Sequence, residues 1–127
     1  MRILVFYIML LIGFTGTAQK GAKIQFDHPD NTLDYGVVKK GTDNGIRNVT
    51  FTNKGDAPLE ITSVQSTSGV TILSKPSVAI APGKTEKIEI KYNMVPGPIR
   101  KTITIETNAT NYANGRVAVK IKGDVEP

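Results

Sequence analysis

Apolar side chains in this chain recur at every second position, in short runs broken by glycine and proline. Asn48–Ile61 and Val78–Tyr92 show the pattern best. In the first, Val49 and Phe51 alternate with Asn48, Thr50 and Thr52. Asn53–Pro58 then turns the chain, and Leu59 and Ile61 follow. In the second, Val78 and Ile80 lead into Ala81–Lys84, where Pro82 fixes φ and Gly83 accepts the positive-φ position. Ile88, Ile90 and Tyr92 then alternate with Lys87, Glu89 and Lys91. A period of two belongs to a strand with one buried face. Past the first eighteen residues, no apolar period of 3.6 persists over three turns.

The remaining runs read the same way. Ile24 and Phe26 form a short first strand, and Asp34–Val38 a second after the break at His28–Asn31. Lys40–Gly45 is a loop rich in residues that tolerate positive φ. Val70 and Ile72 follow the break at Ser66–Gly69. Met94–Pro98 is a rigid turn, Ile103 and Ile105 mark a strand, Asn108–Gly115 is a polar loop, and Val117, Val119 and Ile121 mark the last strand. Seven to nine short strands at roughly ten-residue spacing predict an all-β, immunoglobulin-like antiparallel sandwich. The Cys and Trp positions of an antibody domain are missing.

The first eighteen residues carry a different message. Arg2 gives a positive start, Ile3–Phe14 is nearly all apolar, and Gly16–Ala18 supplies small residues. This is the pattern of a cleaved secretory signal over 1–18, with Gln19 as the mature start. The apolar run is about a dozen residues, short of the roughly 20 that span a bilayer. One domain, 19–127, is expected to follow, exported to the periplasm or the cell exterior. Its 109 residues suffice for a modest core. With no cysteine in the chain, that core works without disulfides. The same lack removes thiol nucleophiles, Cys-zinc sites and redox pairs.

The net charge is +5, one unit of it on Arg2. Lys87, Lys91, Lys120 and Lys122 alternate with apolar residues and read as the outward half of strands. Lys39–Lys40 and Arg100–Lys101 read as short pairs beside turns, not a cluster. Single-stranded nucleic acid also needs aromatic stacking platforms, and few aromatics remain once the core is filled. Nucleic acid is not an expected partner.

Five segments carry a resemblance: Asp34–Val38, Val49–Ile61, Ile80–Thr85, Ile103–Asn108 and Ile121–Val125. As a set they resemble the bacterial domain of unknown function 1573. That family is similar in turn to the ASH/Hydin and major-sperm-protein-like immunoglobulin folds. The resemblance covers about Ile24 to Val125. It implies an exported sandwich, in a group common among Bacteroidetes, and supplies no catalytic residues. Members often carry Cys-Gly-Cys where this chain has Ser66–Thr71, so no metal or redox role transfers.

The residues of types used in catalysis or metal binding have plainer readings. His28, the single histidine, lies near Asp27, Asp30 and Asp34, without the oxygen-rich loop of a calcium site or a second imidazole for zinc. A solvated turn at Pro29 accounts for it. Glu60, Glu86, Glu89 and Glu106 are the carboxylates available for glycoside chemistry, yet Glu60, Glu89 and Glu106 fall on outward strand positions. No Gly-x-Ser-x-Gly elbow or phosphate loop is present. The Asn48–Thr50 and Asn108–Thr110 triplets match a glycosylation signal and read as chance. No catalytic residue, metal ligand or cofactor is expected, and the binding residues are left open.

The sequence therefore predicts a non-catalytic envelope module that binds another protein or serves a structural role. An edge strand offers unpaired backbone to a partner, and the first strand, 23–27, and the last, 115–123, are the expected edges. Carbohydrate binding through Tyr112, the one aromatic expected to be free, is the alternative, as is a periplasmic chaperone-like role.

Overall fold

The computed structural model describes residues 21–127; the expected leader, 1–18, lies outside them. Among the described residues eight strands form: β1 (Ile24–Phe26), β2 (Thr32–Lys39), β3 (Ile46–Asn53), β4 (Ile61–Ser66), β5 (Val70–Ser74), β6 (Thr85–Tyr92), β7 (Gly97–Thr107) and β8 (Arg116–Glu126). They make two four-stranded sheets, in the orders β1-β3-β6-β5 and β2-β8-β7-β4. This is an all-β, immunoglobulin-like sandwich.

The alternation seen in the sequence is the packing code. Val49 and Phe51 of β3 and Ile88, Ile90 and Tyr92 of β6 turn inward from one sheet. Ile99, Ile103 and Ile105 of β7 and Val117, Val119 and Ile121 of β8 meet them from the other. Branched side chains suit this pleated interface. Phe26 packs on Phe51 with ring centroids 5.9 Å apart.

Two features depart from the sequence reading. The runs on either side of the Asn53–Pro58 turn fall in different sheets, β3 in one and β4 in the other, so the turn carries the chain across the sandwich. Leu59 meets Ile80 in an isolated bridge, so Val78 and Ile80 belong to no regular strand. The second departure is β2, which pairs in parallel with β8, Thr32 opposite Lys120 and Lys39 opposite Glu126. Every other strand pairing is antiparallel. A pairing between strands some ninety residues apart leaves no local mark in the sequence.

Candidate functional site

One end of the sandwich is organised around Tyr35. Its side chain leaves β2 inward, and the hydroxyl donates to the Gly45 carbonyl at 2.6 Å. That carbonyl also accepts from the Tyr92 amide at 2.9 Å. A side chain at Gly45 would strike the Tyr92 carbonyl. The Arg47 guanidinium lies 4.4 Å from the centre of the Tyr35 ring and forks onto Asp43, at 3.1 and 2.8 Å. Burial pushes the Tyr35 hydroxyl up to about 12, against the opposing pull of the Arg47 charge. The hydrogen bond from Arg47, helped by the Gly45 amide, holds Asp43 below its ordinary carboxylate range. An open cleft of about 600 Å³ lies here, lined by Val38, Thr42, Asp43, Asn44 and Arg47. The paired guanidinium and carboxylate already satisfy each other, so the cluster reads as a clasp between the sheets.

The opposite end is closed by two asparagines that the sequence did not single out. Asn53, fully buried, donates to the carbonyls of Ala57 and Ile80 at 2.8 and 2.9 Å. Its oxygen accepts from Gly55 and Lys23 at 2.9 and 3.3 Å. All four hydrogen-bonding positions of the amide are thus used. Asn111 treats β1 as a neighbouring strand would: it accepts from the Ile24 amide at 3.1 Å and donates to the Ile24 carbonyl at 2.9 Å. Thr110 donates to Ala22 from the same loop.

The residues weighed from the sequence are dispersed. His28 accepts from the Thr50 amide through Nε2 at 3.1 Å, prolonging the β1–β3 ladder by one bond. Asp34 accepts from Gly36 at 2.8 Å and sits 3.8 Å from Lys122. Glu89, on β6, and Glu106, on β7, lie on opposite sheets; Glu106 pairs with Arg116 at 2.9 Å. The Asn108 amide accepts from Glu60 and donates to Pro58, while Asn48 is exposed on β3. Among the described residues no three His, Asp or Glu side chains converge as metal ligands would.

Three expectations need correction. Tyr112 is not free: it packs on the core, and its hydroxyl accepts from Asn31 at 3.1 Å. The last strand is not an edge, because β8 lies between β2 and β7. Arg100 is not part of a pair beside a turn; it sits within β7, directly opposite Lys122 of β8. The first strand does end its sheet, but Asn111 and Thr110 cover its free side. The open edges are those of β2, β4 and β5, and strand order was the information the sequence lacked.

Two sheets, this inter-sheet clasp and the covered first strand define an immunoglobulin-like β-sandwich. The chain belongs to the family described as "Protein of unknown function (DUF1573)", whose model matches residues 24–125. No curated protein matches it. Among solved structures it is similar to a protein of unknown function from Porphyromonas gingivalis W83, at 19% identity and a TM-score of 0.67, covering 85% of this chain and 49% of that one. It thus spans about half the length of that relative. The secreted serine protease VesC from Vibrio cholerae is similar at 22% identity and a TM-score of 0.58, with 85% of this chain and 24% of that one covered. The periplasmic chaperone SfaE is similar at 13% identity and a TM-score of 0.50, with 82% and 57% covered. These likenesses concern the fold. Among the described residues no helix is long and apolar enough to cross a membrane.

Proposed function

We propose that the chain is an exported, non-catalytic module that binds another envelope or secreted protein along the edge formed by β4 and β5. One observation carries this reading. Residues 61–74, which comprise both strands and their connection, contain no charged residue, and each strand ends its sheet. Exposed edges are commonly guarded by lysine, proline or a covering segment. Here β1 is covered by Asn111, and β2 carries Asp34 and Lys39. The β4 and β5 edges have only irregularities near Thr62 and Leu73, and the second leaves Leu73 42% exposed. Adding a partner's strand would pair the open backbone and cover Leu73. The resemblance to a periplasmic chaperone supports a protein partner in the same compartment.

Affinity capture from envelope extract with the wild type and Leu73→Lys tests this. A discrete partner lost from the variant, at unchanged melting temperature, supports the edge. Equal recovery removes it.

A further inference from the structure

The outward face of β7 and β8 carries an arrangement that neither the fold nor the β4–β5 edge accounts for. Arg100 lies directly across from Lys122, and Lys120 from Thr102. On the other side of β8, Thr32 is opposite Lys120 and Asp34 opposite Lys122. Two adjacent rows therefore read Asp34, Lys122, Arg100 and Thr32, Lys120, Thr102. Like charges directly opposite on one sheet face destabilise the pair. Asp34 relieves Lys122 only weakly, at 3.8 Å between exposed groups. Among the described residues neither Arg100 nor Lys120 has a carboxylate within ion-pair distance. The face forms a shallow depression of about 530 Å³, with Asp30, Thr32, Arg100, Thr102, Lys120 and Lys122 in its lining.

We propose that this face binds the anionic groups of an acidic polysaccharide. The chemistry selects that class over the others. A protein partner needs a desolvated centre depleted in charge, and this face has cations at its centre. Single-stranded nucleic acid needs stacking aromatics, and neutral sugars favour aromatic platforms; the two rows offer neither. What they offer is cations interleaved with hydroxyls. Positions two apart on a strand recur every ~6.8 Å, a spacing that lets an extended glycan place anionic groups on Arg100, Lys120 and Lys122. Its hydroxyls then meet Thr32 and Thr102. Sulfate esters and uronate carboxylates share this chemistry.

The test is binding of the purified protein to immobilised heparin, polygalacturonate, polyglutamate and neutral dextran at physiological ionic strength. We expect retention by heparin, by polygalacturonate or by both, the pattern separating sulfate from uronate, with weaker retention by polyglutamate and none by dextran. Arg100→Gln/Lys120→Gln weakens glycan binding about tenfold or more, as the loss of two charge-assisted contacts requires. Lys87→Gln/Lys91→Gln removes the same charge from the other sheet and changes it less than about twofold. No retention on either acidic glycan, equal retention on polyglutamate, or equal loss in the two variants overturns the proposal. Leu73→Lys leaves glycan retention intact, so the edge and this face fail independently.

Discussion

The hydroxyl of Tyr35 and the carbonyl of Gly45 meet at 2.6 Å, joining β2 of one sheet to the segment entering β3 of the other. The bond is buried and neutral, and the burial of its hydroxyl makes stability depend on alkaline pH. The Tyr35 hydroxyl titrates near 12 in the fold against 10 in a free chain. A group whose pKa rises on folding lends its full stability below the unfolded value and loses it as pH climbs through the folded one. Wild-type stability should fall by about 2–3 kcal/mol between pH 10 and 12 through this group. Denaturant melts across that range check it. Tyr35→Phe should start less stable by about 1 kcal/mol and lack this share of the alkaline loss.

Asp43 works with the opposite sign. Its folded carboxyl titrates below the ordinary range because of Arg47. Its contribution is therefore present above the unfolded carboxylate pKa and disappears as pH falls through the folded one. Asp43→Asn should be less stable than wild type near neutrality, and the gap should narrow on acidification. A gap independent of pH would mean that the ion pair contributes nothing.

Asn53→Ala should be the most damaging single change outside the apolar core. It strips the Ala57 carbonyl and the Gly55 and Lys23 amides of their partner, and leaves the Ile80 carbonyl only the Leu59 amide. Unsatisfied groups cost about 1–3 kcal/mol each where water cannot replace the partner. We expect a loss of about 3 kcal/mol or more, read as a drop in melting temperature of about 12 °C or more.

Asn111→Ala should uncover β1. The Ile24 amide loses its acceptor and should exchange with deuterium markedly faster, while global stability falls by only about 1–2 kcal/mol. Because the uncovered edge is a template for pairing, concentration-dependent self-association should appear in sedimentation. Unchanged exchange at Ile24 would show that the side chain does not cover the strand.

What was readable in the sequence was most of what is written in period two; Val78, exposed and outside any strand, is an exception. Val49, Phe51, Ile88, Ile90, Ile103, Ile105, Val117, Val119 and Ile121 all face the core as their alternation requires. The Ala81–Lys84 turn, closed by the Lys84 amide on the Ala81 carbonyl, was likewise foreseeable from Pro82 and Gly83. Strand order was not, because alternation fixes which side chains point inward and says nothing about neighbours. That gap misplaced β8 at an edge and separated Arg100 from Lys122, which are 22 positions apart in sequence and face each other in space. Asn53 and Asn111 were missed for a related reason. An asparagine in a turn or a polar loop looks like ordinary turn chemistry, and only the folded chain shows its amide reaching a distant backbone.

The side-by-side run of β2 and β8 also governs when the sandwich can be completed as the chain emerges. Thr32 emerges long before Lys120, and until the last segment arrives β2 has no ladder and one side of β7 stands open. Completion of that layer must wait for Arg116–Glu126, a non-local closure of the kind that slows folding. A nascent chain stalled before residue 116 would hold one sheet ready and the other half built.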